Sequence, residues 1–160
     1  MTVLGIDPGL ERLGYGAVAR EGSRLRAIEF GLIETPKIEI GARLAMIHER
    51  TAGVIARVSP DAVSTERLLF SVNKKTAMDV AKALGVVILA AGQSQVEVFE
   101  YTPPEVKQSV VGNGAADKRQ IAFMVTRLLG LEKEPKPDDV ADALAAAICH
   151  ALRSRVPALR

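Results

Sequence analysis

Cysteine is almost missing from this chain. Cys149 stands alone among 160 residues, which rules out an internal disulfide, and its Ala-rich helical surroundings mark a buried thiol rather than a nucleophile. Long apolar runs are missing too: no stretch approaches the roughly 20 residues that span a bilayer. Thr2 to Ile6 reads directly as a strand, without the basic segment and apolar stretch of a secretory leader. A reducing, cytoplasmic setting with no membrane partner is therefore expected. No internal repeat, low-complexity tract or interdomain linker is visible. Charge of one sign is likewise scarce, since 21 Lys+Arg face 19 Asp+Glu for a net charge of +2. A nucleic-acid partner is thus not legible in the total, although a basic face and an acidic pocket can coexist within such a count.

What is present is the balance of a globular protein. A hydrophobic share of 48% and a charged share of 25% argue against disorder. A chain of this length makes one domain, residues 1–160, around one substantial core, with a short basic tail from about residue 153. Residues 2 to 35 read as three strands joined by tight turns: Thr2 to Asp7, Leu13 to Arg20 and Arg24 to Thr35, punctuated by Pro8-Gly9 and Glu21-Gly22-Ser23. Ile40 to Val58 carries a helical stripe and stops at Ser59-Pro60. Asp61 to Thr65 is a short strand ending at Glu66, Lys74 to Gln93 a second helix and Val96 to Tyr101 a fifth strand. Strand, helix, strand, helix, strand implies right-handed parallel crossovers attached to an antiparallel meander. Pro103 to Val111, Asp117 to Leu129 and a helix from Asp138 or Asp139 through Leu152 complete the pattern. The fold class is α/β, a mixed five-stranded sheet flanked by helices.

Four carboxylates end or begin these elements. Asp7 closes the first strand, which should run through the middle of the sheet, and Glu66 follows the fourth. Asp139 and Asp142, three apart, share one face of the first turn of the last helix. Each also has an ordinary explanation: Asp-Pro-Gly is turn chemistry, a strand-end glutamate pairs with a surface cation, and helix N-termini favour acids. Three aspartates at one helix start exceed what a cap requires. Asp138 is read as the cap and Asp139 with Asp142 as the ligand pair, with Asp138 and Asp142 as the rival assignment. Crowded carboxylates raise one another's pKa unless a cation compensates them. Mg2+ or Mn2+, which prefer oxygen ligands and keep waters, are the candidates, and phosphoryl transfer by a nuclease is the chemistry.

The residues Gly5-Ile6-Asp7-Pro8-Gly9 with Gly14-Tyr15-Gly16, Glu66, Glu100-Tyr101, Val106-Lys107-Gln108, Val110-Val111-Gly112 and Ala141-Asp142-Ala143-Leu144-Ala145 resemble those of a known family. The chain resembles, over nearly its whole length, the RuvC family of Holliday-junction resolvases in the ribonuclease H-like superfamily. That resemblance implies an endonuclease that binds four-way junction DNA as a homodimer and nicks two strands of like polarity. The RuvA and RuvB branch-migration complex is the implied partner. Asp7, Glu66, Asp139 and Asp142 match the family's metal-binding catalytic acids, with two ions per site, and Lys107 and Lys118 match its functional lysines. Relatives place an aromatic three residues after the glutamate as a base wedge. Here that position is Leu69 and the aromatic is Phe70, so either side chain could serve.

Other basic residues, Arg12, Arg67, Lys74, Lys75, Lys82 and Arg119, are candidates for phosphate contacts that position DNA without reading sequence. His48 and His150 read as structural. An all-carboxylate site is indicated, since some relatives carry histidine at the position of Asp139. A ribosomal-RNA-processing nuclease of the same superfamily would be shorter and would lack the Val106-Lys107-Gln108 region. A sugar-kinase or actin-like ATPase would need a second, duplicated domain. A junction-binding module without catalysis would have lost one of the acids, and all four are present.

Overall fold

A computed structural model describes residues 1–68 and 74–154, and the side chains of residues 74–76 fall outside that description. Five strands, β1 (Thr2–Asp7), β2 (Arg12–Glu21), β3 (Arg24–Glu34), β4 (Ala62–Glu66) and β5 (Glu97–Tyr101), form one sheet in the order β3-β2-β1-β4-β5. β1 pairs antiparallel with β2 and parallel with β4, which pairs parallel with β5. The expected meander with two parallel additions is what the chain builds, and β1 lies in the middle.

Two helices, α1 (Ile40–Val58) and α2 (Lys74–Gln93), cover one face, and α3 (Pro103–Val111), α4 (Lys118–Leu129) and α5 (Asp138–Arg153) cover the other. Alternation along the strands feeds both layers. On β1, Leu4 and Ile6 enter the α1/α2 core, while Val3 enters the core under α5. Gly5 and Asp7 share the side of Val3 by the same period of two. On β4, Val63 joins the α1/α2 core, and Ser64 on the opposite face donates a buried hydrogen bond to the Ala146 carbonyl, 2.7 Å away.

Helix α5 lies flat on the sheet because glycine and alanine face each other. A Cβ on Gly5 would collide with the Ala143 carbonyl and the Ala147 amide, and one on Gly14 would collide with the Asp139 carbonyl. Bare backbone on β1 and β2 against Ala143 and Ala147 brings the helix start down to the carboxyl end of β1.

The helix boundaries match the sequence pattern, but the cap of α5 does not. Asp117 caps α4 as expected, accepting from the Gln120 amide while the Gln120 side chain returns the bond, a capping box. Asp138 does not cap α5. The N-cap is Pro137, in extended conformation and without a side-chain cap bond, and Asp138 is the first helical residue. Proline's ring already holds the extended entry and lacks the N–H that a continuing helix would use. At the other end Arg153, read as the start of a basic tail, is the last residue of α5; its guanidinium meets Glu105 at 2.9 Å and lies over the Tyr101 ring. Residues 155–160 lie outside the described residues.

Candidate active site

Parallel strands that end side by side leave a crevice beyond their carboxyl ends, the usual ligand position in sheets of this kind. Asp7 ends β1 and Glu66 ends β4, one step past the paired Ile6 and Thr65. Onto this edge α5 projects Asp142 and α4 projects Lys118, while α3 supplies Lys107. Together with Ile6, Pro103 and Val106 these side chains line a cleft of about 290 Å3. Asp7, Glu66 and Arg67 also line an adjoining cleft of about 370 Å3 with Pro8, Leu68 and Val80.

The electrostatics are those of crowded anions. Burial first, then Asp142, Asp139 and Glu66 in that order, push Asp7 from its ordinary 3.8 up to about 7, opposed by Lys118. Glu66 is raised by burial and by Asp142, against the pull of Lys107 and Lys118. Burial likewise raises Asp142, with Lys118 opposing it, and Lys118 is itself raised chiefly by Asp142. The Lys118 ammonium stands 3.5 Å from Asp142 Oδ2.

Asp139 and Asp138 part company in space. The Asp139 side chain is only 20% exposed, and Arg12 Nη2 lies 3.2 Å from its Oδ2. That oxygen is shut off from solvent and receives no aligned hydrogen bond, so the contact with Arg12 is one of charge rather than of directed bonding. Asp138 is 65% exposed and faces Lys136 at 3.9 Å. Asp139 acts on Asp7 and lines the groove that holds Arg12, whereas Asp138 acts on Asp142 and lines the cleft shared by Lys118 and Asp142.

This donor set suits a hard divalent cation: four carboxylates, one raised by burial and then by crowding and one carrying a buried oxygen without a hydrogen bond. Among the described residues no three acidic, histidine or cysteine side chains converge on one point. Asp139 and Asp142 are engaged by Arg12 and Lys118, cations of the chain itself.

The remaining sequence candidates scatter. Arg119 lines a cleft of about 190 Å3 beside Lys118, Lys136 and Asp142. Lys82 pairs with Asp79 of its own helix at 3.3 Å. Lys74 and Lys75 open α2 with side chains outside the description, and Leu69 and Phe70 lie outside the described residues. His48 contacts Gln93 on the surface. Buried His150 sits 2.8 Å from the Tyr101 hydroxyl and packs on Phe99, and burial lowers its pKa. Cys149 is buried, as its surroundings predicted. What the sequence did not announce is the link between Arg12 and Asp139, residues more than a hundred positions apart.

The family model described as "Crossover junction endodeoxyribonuclease RuvC" matches residues 3–150. A protein of that name from Alkaliphilus oremlandii is 52% identical over 152 residues, covering 94% of this chain and 93% of its own. A solved structure described as Thermus thermophilus RuvC in complex with Holliday junction substrate superposes with a TM-score of 0.91 at 40% identity, covering 95% of this chain and 93% of that one. The yeast mitochondrial Holliday junction resolvase, at 14% identity and a TM-score of 0.66 over 93% of this chain and 78% of its own, shares the fold.

Proposed function

This chain belongs to the RuvC family of crossover junction endodeoxyribonucleases, and from that membership we propose how its own residues cut a four-way DNA junction. It is a divalent-metal-dependent endonuclease of Holliday junctions, acting in recombination and repair. Residues 1–160 form one nuclease domain working in the cytoplasm as a homodimer, which nicks two strands of like polarity and cooperates with the RuvA–RuvB branch-migration complex. The observation that carries the reading is the crowding of carboxylates at the carboxyl edge of the parallel strands, where Asp7, Glu66 and Asp142 are all raised.

Asp7, Glu66, Asp139 and Asp142 hold Mg2+ or Mn2+, two ions per site. Bound there, such ions would lower the pKa of a water and offset negative charge that develops in the reaction. The chain's residues do the rest. Asp7 and Glu66 are delivered by adjacent strand ends, so their spacing is set by sheet pairing rather than by loop conformation. Lys107 and Lys118, on the walls of the same cleft, face the scissile phosphate and counter the negative charge that grows on its oxygens in the transition state. Water adds to phosphorus as the bond to the 3' oxygen breaks, and the proton lost by the water balances the one gained by that oxygen. The products are a 5'-phosphate and a 3'-hydroxyl that a ligase can join. Arg67 and Arg119, on the two flanks of the cleft, hold phosphates of the junction arms without reading bases.

The exposed face of α2 serves the dimer. Met78 and Leu89 are 56% and 53% exposed, and Gly85 and Gly92 on the same side have open space where a Cβ would stand. A second copy of the helix can approach closely there.

A synthetic mobile four-way junction and a matched linear duplex, each incubated with the protein with and without Mg2+ or Mn2+, test the reading. Paired nicks in the junction alone, only with metal, are expected. Asp7→Asn should bind the junction and fail to cut, losing at least about a thousandfold in rate, of the size seen when one essential catalytic group is removed. Asp139→Asn should be similarly impaired and Asp138→Asn nearly normal. Equal cutting of linear duplex, or nicking that survives Asp7→Asn, would refute the assignment.

A further inference from the structure

Arg12 does not extend freely into solvent as a phosphate-contacting residue would. It opens β2 immediately after the Pro8–Glu11 turn, and that turn is clamped from two sides. The buried Thr35 hydroxyl donates to the Leu10 carbonyl at 2.6 Å, and the Thr35 amide donates to the Glu11 carbonyl at 3.0 Å. Arg43, from α1, reaches the same place, its Nη2 donating to the Leu10 carbonyl at 3.2 Å and its Nε to the Thr35 hydroxyl at 2.9 Å. Gly9 allows the turn to close, because a Cβ there would strike the Arg12 carbonyl. A guanidinium leaving so constrained a backbone has its reach set in advance, and what it reaches is Asp139 Oδ2 at 3.2 Å.

The contact is one-sided in a telling way. Arg12 is 52% exposed, whereas the Asp139 carboxylate is 20% exposed and its facing oxygen has neither solvent nor an aligned hydrogen bond. That oxygen needs positive charge, and Arg12 supplies it from a distance without saturating the oxygen's directed bonding capacity. A cation placed so can be exchanged for another. Resting on the proposed metal-holding role of the carboxylates, we propose that Arg12 is an exchangeable counter-ion of Asp139, a tethered cation that occupies the carboxylate before the divalent ion does and is displaced when the ion binds. Arg12 is a positioning residue: it holds the Asp139 carboxylate in place and sets the metal concentration at which the site fills. Its neighbours agree with exchange. Displaced from Asp139, the guanidinium still has room in a groove of about 730 Å3 lined by Glu11, Glu34, Asp79 and Arg43.

Titration calorimetry with Mn2+ alone, on the full chain without DNA, tests this through binding rather than turnover. Arg12→Gln removes the competing charge and should tighten Mn2+ binding by about two- to fivefold, the range that follows from the modest worth of partly exposed ion pairs. Arg12→Lys, which keeps the charge, should stay within about twofold of the parent. Thr35→Val loosens the clamp and should move affinity in the same direction as Arg12→Gln, by less. Unchanged or weaker Mn2+ binding in Arg12→Gln, with circular dichroism showing an intact fold, overturns the proposal. The same holds if that variant loses only junction affinity in EDTA, which would make Arg12 a phosphate contact. Asp139→Asn separates the two levels. If it abolishes Mn2+ binding while Arg12→Gln changes nothing, the exchange fails and the metal site stands; if it binds Mn2+ like the parent, the metal-site reading itself fails.

Discussion

Asp7 is the residue at which the conflict between folding and function can be measured. Its folded value of about 7, against an ordinary 3.8, means that between those values the native state holds a proton the unfolded chain has released. Stability then falls as pH rises from about 4 to about 7, because the unfolded state binds fewer protons than the native one. At 1.36 kcal/mol per pH unit the full penalty is on the order of 4 kcal/mol, complete above pH 7. Asp7→Asn removes it. Urea denaturation in EDTA should show the variant more stable than the parent at pH 8 by about 2 to 4 kcal/mol, with the two converging near pH 4. Added Mg2+ or Mn2+ should raise the melting temperature of the parent at pH 8 and leave that of Asp7→Asn nearly unmoved, since ligand binding to the native state alone stabilises it. Equal stability of parent and variant at pH 8 in EDTA would count against crowding as the cause. Candidate acids at this scale were legible from residue type and position. The surroundings of Asp138 and Asp139 were not: neighbours in sequence project about 100° apart on a helix, and only the placement of α5 sets Asp139 against Arg12 and leaves Asp138 exposed beside Lys136.

At the scale of elements, the contact of α5 with β1 and β2 organises the site. Eleven of the helix's residues are buried, six of them alanine, and the helix backbone meets Gly5 and Gly14 where any side chain would collide. Gly5→Ala should therefore push α5 away from the sheet at the point that carries Asp142. A loss of about 3 kcal/mol or more is expected, at the upper end for overpacking a tight core, read as a lower midpoint in urea. Junction nicking should fall with it, even at temperatures where the variant is folded. Gly22→Ala, at a positive φ with nothing nearby, should cost only the backbone strain of a turn. The spans of α1, α2 and α3 followed from apolar periodicity and stop signals, because those cues are local. That Gly5 and Gly14 mark a helix crossing did not follow, since a glycine in a strand reads equally as a bulge, a turn or a close approach.

For the molecule as a whole, helices pack on both faces of the five-stranded sheet, and among the described residues α2 presents Met78, Ile88 and Leu89 outward. Met78 and Leu89 are more exposed there than most large apolar side chains of the protein, and a paired cut on a two-fold DNA junction calls for two active sites held in fixed relation. Leu89→Glu should shift the protein from dimer to monomer in analytical ultracentrifugation at low micromolar concentration, with an unchanged circular dichroism spectrum. Junction cutting should then lose its symmetry, leaving single nicks. A variant that remains dimeric and cuts in pairs would move the interface elsewhere.

The sequence by itself determined the elements and their order, the α/β class, the carboxylate inventory and the family, because each rests on local pattern or on motifs of a few residues. Tertiary structure alone decided that α5 lies bare against β1 and β2 and that Arg12 answers Asp139 across the fold. Those are relations between residues far apart in the chain. Pairwise charge and contact depend on distance in space, which no spacing along a sequence contains.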